Sequence, residues 1–89
     1  MRRLKALREE IDRIDEQVLR LIARRMRIVE EIAEIKRDMG LSIVDEEREK
    51  SLLAKLKKRG EELGIRPEDV ELIFRLIMLM SIRRQVIGH

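Results

Sequence analysis

Eight side chains in this sequence are of a type and at a spacing that could do chemistry: Arg8, Arg25, Lys36, Asp45, Arg48, Glu49, Ser81 and Gln85. The first three share one stripe, Arg8, Ile11, Asp15, Val18, Ile22, Arg25, Val29, Ile32, Lys36, whose steps of three and four put the cations in line with apolar residues on a helix. An unpaired cation in such a stripe costs several kcal/mol, so something anionic should meet it. Arg25 and Lys36 lie about three turns apart, roughly 16 Å along the axis, and their side chains can converge on one small ligand from its two ends. Arg8 lies about 25 Å from Arg25, too far to share that ligand within one chain. In an antiparallel pair of such helices, however, Arg8 of a second copy slides next to Arg25. The geometry predicts a site built from two chains.

The other five fall at the start of a second helical pattern (Asp45, Arg48, Glu49) and near the end of a third (Ser81, Gln85). Ser81 and Gln85 stand four apart where Leu would be expected, so both should face a polar cavity. Four of the eight are cations, which suits a small ligand with at least two carboxylates, because Arg holds a carboxylate in a bidentate fork. There is no Ser–His pair, Cys nucleophile, central His or phosphate-cradling Gly loop. What remains is a reaction driven by confinement and electrostatic stabilisation. Each residue alone has an ordinary competing role: Arg25 could pair with Asp15, Glu30 or Glu31, Lys36 could snorkel to solvent, Asp45 could only cap a helix, and Gln85 could bond a backbone carbonyl. The shared stripe favours a site.

The residues that must position these groups form three helical patterns. Leu4 to Met39 contains no Gly or Pro and is dense in good helix formers. Its heptad seam runs Leu4, Leu7, Ile11, Ile14, Val18, Leu21, Arg25, Ile28, Ile32, Ile35, Met39. As one helix it is a rod of roughly 54 Å, against about 30 Å for a compact domain of this length, so its seam must find apolar surface on another chain. A twofold dimer with the long helices side by side is the simplest answer. Gly40 should stop this helix, and the link GLSIV leads to Asp45 as N-cap of a second helix. That helix runs to about Leu63, with Glu46 and Glu47 in its first turn and Leu52, Leu53, Leu56 and Leu63 inward. Gly64 ends it, and Pro67, followed by Glu68 and Asp69, opens a third. The third stripe is Val70, Ile73, Phe74, Ile77, Met78, Ser81, Gln85, with Met78 and Met80 filling core gaps. The expected fold is all-α, three helices in a single domain spanning residues 1–89, paired as a homodimer.

Composition agrees with that class and excludes others. Charged residues make up 44% and hydrophobic ones another 44%, almost all aliphatic, with one Phe and no Trp or Tyr, which points to helices. Without Cys, and with His89 as the sole His, no metal centre is expected. The net charge is +3, but 21 basic residues are interspersed with 18 acidic ones and no aromatics are available for stacking, which argues against nucleic acid. No run has membrane-spanning or signal-peptide character, and the expected location is the cytoplasm. The absence of Asn and Thr and the wealth of Glu, Arg and Lys resemble protein usage in heat-loving organisms.

The run LKALREEIDRIDEQVLRLIARR, then IAEIK, then VDEERE and finally LIFRLIMLMSIRRQ resembles, in order and spacing, the all-helical chorismate mutases of the shikimate pathway. The resemblance covers nearly the whole chain. It implies an intertwined dimer with two sites that rearrange chorismate to prephenate without a cofactor, in phenylalanine and tyrosine biosynthesis. By position, Arg8 looks like the arginine supplied by the partner and Arg25 like the same-chain one, each gripping a substrate carboxylate. Lys36 resembles the lysine that reaches a carboxylate and the ether oxygen, and Gln85 the group on the other side of that oxygen. Asp45, Arg48 and Glu49 match residues around the ring hydroxyl, and Ser81 a substrate-contacting position. Arg84, beside Gln85, is an extra cation that departs from the pattern. A scaffold relative, the lyase that eliminates pyruvate from isochorismate, shares the Arg and Lys positions but lacks a carboxylate where Glu49 stands. A non-catalytic helical dimerisation module is the alternative of another class.

Overall fold

The computed structural model describes residues 1–87; His89 lies outside them. Three helices follow one another: α1 (Arg2–Met39), α2 (Glu46–Glu62) and α3 (Pro67–Ile87). The long helix starts two residues before the expected Leu4 and ends where Gly40 forces it to. Gly40 adopts φ 66°, and Leu41 N–H reaches back to the Lys36 carbonyl at 2.8 Å, closing the end of α1. The same device recurs at Gly64 (φ 81°), where Ile65 N–H bonds the Gly60 carbonyl at 2.8 Å. Asp45 caps α2 as expected, its Oδ1 accepting from Arg48 N–H at 3.0 Å, with Glu46, Glu47 and Glu49 in the first turn. Pro67 sits at the first position of α3, where its missing N–H costs nothing.

α3 is the central element, packed on one side by α1 and on another by α2, while α1 and α2 do not pack on each other. The fold is all-α, but the chain is not a ball: it measures 57 × 27 × 14 Å. Its radius of gyration is 16.4 Å, against about 12 Å for a compact chain of this length. Among the described residues, only Met26, Val29, Ala33, Leu53, Val70 and Met78 form a buried apolar core. Every residue from Met1 to Leu21 is exposed.

The face of α1 that meets α3 is Ile22, Met26, Val29, Ala33 and Lys36, a stripe beside the heptad seam rather than the seam itself. The apolar residues of the seam stay outside from Leu4 to Met39, with Ile28, Ile32 and Ile35 as open as Leu7 and Ile11, while its one charged member, Arg25, is half-buried. Three inward assignments need correction. Leu63 is the exposed C-cap of α2, and the turn it begins carries it off the packed face. Ile73 and Met80 are also exposed, on a face of α3 that continues through Leu72, Leu76 and Leu79. The inward place near the end of α2 belongs to Gly60, where a Cβ would come within 2.5 Å of Val70 Cγ2. α3 is thus apolar on more sides than α1 and α2 cover.

Candidate active site

The C-terminal half of α1, the link after it, the start of α2 and the end of α3 enclose a cleft of about 360 Å³. Seven of the eight residues singled out by type and spacing line it: Arg25, Lys36, Asp45, Arg48, Glu49, Ser81 and Gln85. Val29 and Ile32 from α1, Leu52 from α2, and Met78 and Ile82 from α3 supply the apolar wall. Arg8 is not there. It lies on the exposed half of α1, about 25 Å along the axis from Arg25.

Arg25 enters the cleft half-buried and donates from Nη1 to Ser81 Oγ at 2.6 Å. Ser81 is buried and passes its own proton back to the Ile77 carbonyl at 2.8 Å. Burial, and then the neighbouring guanidinium of Arg48, lower the Arg25 pKa from its ordinary value. Neither α1 nor α3 offers Arg25 a carboxylate: Glu30, a candidate partner by sequence, is taken by Arg84, whose Nη1 donates to Glu30 Oε1 at 2.7 Å. The extra cation beside Gln85 is therefore a strut between α3 and α1.

Lys36 reaches across the end of α1 and donates from Nζ to the carbonyl of Ile43 at 2.7 Å. An ammonium has three donors, so this bond fixes its position and leaves two free. Ile43 was invisible as a site residue in sequence, because the group it contributes is a backbone carbonyl. Among the described residues, none of Arg25, Lys36 and Arg48 has a carboxylate within ion-pair distance. Asp45 uses one carboxylate oxygen in capping α2, which leaves acceptor capacity toward the cleft; Glu49, half-buried, stands one turn further along. Gln85 is buried at the α3 side, its Nε2 donating to the Ser81 carbonyl at 3.3 Å and its Oε1 without a partner among the described residues. A buried orphan acceptor is costly and marks a place where a ligand or a reoriented amide completes the bonding.

The cleft thus carries three unneutralised cations, two carboxylates near the start of α2 and one buried amide. It can bind a small polyanion and stabilise negative charge that develops on it, with nothing placed for covalent attack. Among the described residues, no group of His, Cys, Asp or Glu gathers to hold a metal ion, and no helix is long and apolar enough to cross a membrane.

The family described as chorismate mutase type II matches residues 7–86. The T-protein of Enterobacter agglomerans is 43% identical over 78 residues, 88% of this chain but 21% of that protein. The bifunctional chorismate mutase/prephenate dehydratase of Aquifex aeolicus (strain VF5) is 37% identical over 90 residues, 99% of this chain and 23% of its own length. The chorismate mutase of Methanocaldococcus jannaschii is 38% identical over 63 residues, 71% of this chain and 64% of its own length. The chain spans only about a fifth of the two longer relatives. No solved structure matches it.

Proposed function

The chain belongs to the chorismate mutase type II family, and from that premise we propose that its cleft forms most of a site converting chorismate to prephenate, completed by Arg8 of a second copy. The observation that carries the reading is the convergence of Arg25, Lys36 and Arg48, without ion-pair partners among the described residues, around a cleft that also holds the buried Gln85. Chorismate brings two carboxylates, an ether oxygen and a ring hydroxyl to such a cleft.

The reaction is pericyclic. The C–O bond breaks as the C–C bond forms, with no proton transferred and no covalent intermediate, so the protein has two tasks. Arg25 and the second copy's Arg8 hold the carboxylates and with them the folded diaxial conformer. Lys36, steadied by the Ile43 carbonyl, and Gln85 stabilise the ether oxygen as it gains negative charge, an effect worth roughly 3–4 kcal/mol per donor in comparable sites. Asp45, Arg48 and Glu49 surround the ring hydroxyl. The rearrangement needs no cofactor.

The second copy is favoured by two uncovered apolar faces, the seam of α1 and the outward face of α3 (Leu72, Ile73, Leu76 and Leu79). Antiparallel pairing of two α1 seams buries the first of these faces and brings the distant Arg8 to the cleft. Arg8 otherwise has no part in the site.

The test is the decay of chorismate absorbance with purified protein, with prephenate and salicylate separated by chromatography, beside Lys36→Ala. Prephenate formation that falls about 10²–10³-fold in kcat/KM on Lys36→Ala is the expected result. Salicylate from isochorismate moves the assignment to the lyase, against which Glu49 in the cleft argues. No turnover of either by a folded dimer, together with a gain in stability on Gln85→Leu, leaves a dimerisation module.

A further inference from the structure

We infer that Ser81 is a positioning residue, whose hydroxyl holds Arg25 and whose carbonyl holds Gln85 in place before a ligand arrives. Both polar atoms of Ser81 are engaged. Oγ accepts from Arg25 Nη1 at 2.6 Å and donates to the Ile77 carbonyl at 2.8 Å, while the Ser81 carbonyl receives Gln85 Nε2 at 3.3 Å.

The directions of these bonds decide the role. Without a ligand the single proton of Ser81 points back along α3 to Ile77, and it is the lone pair that faces the guanidinium. Back-bonding to the carbonyl four residues earlier also fixes the side-chain rotamer, so the acceptor stands still. Before a ligand arrives, the Ser81 hydroxyl therefore acts on Arg25.

A neutral acceptor is the right kind of group for this task. Arg25 has a long, flexible side chain, is half-buried, and faces the like charge of Arg48, so it needs an anchor. A carboxylate would anchor it and cancel the charge meant for the substrate. The serine hydroxyl orients the guanidinium and leaves its charge unpaired, at the cost of one polar residue inside the helix packing.

For turnover this inference rests on the proposed function; for the order of Arg25 it rests on geometry alone, and the experiment separates the two. Nitrogen-15 spectra of the ligand-free protein report rotation of the Arg25 guanidinium, its signals identified by their loss in Arg25→Lys. Alongside them, chorismate kinetics are measured for Ser81→Ala and Ser81→Thr. We expect resolved, slowly rotating Arg25 Nη signals in the wild type and Ser81→Thr, and averaged signals in Ser81→Ala. KM should rise roughly tenfold in Ser81→Ala with a smaller change in kcat, and return in Ser81→Thr. Unchanged Arg25 signals in Ser81→Ala overturn the inference, and with an activity loss they assign Ser81 to direct substrate contact. Averaged signals with unchanged KM overturn it too, since order in Arg25 then has no bearing on binding. A wild type that does not turn over chorismate defeats the functional reading, while the spectra still decide whether Ser81 holds Arg25.

Discussion

Arg84 on α3 donates to Glu30 on α1 at 2.7 Å, one residue before the buried Gln85 and one after the buried Val29. The pair pins the end of α3 to α1 at the height of the cleft. Both side chains are about one-third exposed, 35% and 34%, so solvent screens much of the attraction. Glu30→Gln is expected to cost about 0.5–1 kcal/mol of stability. Thermal unfolding at low and high salt checks this, because the difference from wild type should shrink as ionic strength rises. A difference that persists in high salt would assign Glu30 a role in packing rather than charge.

Gly60 lies in α2 with Val70 of α3 directly over it. Alanine normally favours a helix interior by about 1 kcal/mol over glycine. Here the new Cβ would stand 2.5 Å from the Cγ2 of a buried, stiff, β-branched side chain. Overpacking of this kind costs about 1–3 kcal/mol, so Gly60→Ala should destabilise. Adding Val70→Ala should recover part of the loss if the clash is its source, and denaturant unfolding of the single and double variants measures it.

If each site takes Arg8 from one copy and Arg25 from the other, two inactive variants should rescue each other. Arg8→Ala and Arg25→Ala, unfolded together and refolded, form mixed dimers with one intact site and one doubly damaged site. Random pairing makes half the dimers mixed, so about a quarter of wild-type activity should return. An absence of recovery, with mixed dimers demonstrated, would put Arg8 outside the site.

Gln85 makes the pH dependence testable. An amide donates without a titrating proton, so the wild type should keep its kcat above neutral pH, and a steep fall between pH 6 and 8 would contradict its role. Burial and Arg48 lower the Arg25 pKa, but a guanidinium starts so high that loss of its charge still belongs to the alkaline extreme. Gln85→Glu replaces the donor by a group that donates only when protonated. Burial, and an ether oxygen gaining negative charge, push that carboxyl's pKa up. Activity of the variant should be present below the raised pKa and lost as pH rises through it, which a kcat profile from pH 4.5 to 9 would show.

Much of this was legible in one dimension because helices are periodic. The caps at Gly40, Asp45 and Pro67 followed from local chemistry, and the length of α1 announced a chain that could not bury its own seam. The stripe holding Arg25 and Lys36 was legible for the same reason, since steps of three and four fix which side chains share a face.

Other features were not local. Periodicity gives the angle of each side chain about its own axis and says nothing of how two helices are turned toward each other. Periodicity therefore does not mark Met26 and Ala33 as the contact with α3, and it puts Ile73 and Met80 inside where α3 turns them outward. Gly60 reads as a weak point in a helix until Val70 is seen against it.

By itself, then, the sequence determined three helices, their ends, an excess apolar seam and a set of cations too many for a simple surface. Only the tertiary structure decided what those cations touch. Lys36 is set by the carbonyl of Ile43, Arg25 by the hydroxyl of Ser81, and Glu30 is drawn away to Arg84. The reason is that a hydrogen bond depends on distance and direction between groups far apart in the chain, one of them a backbone atom that every residue carries and no sequence marks.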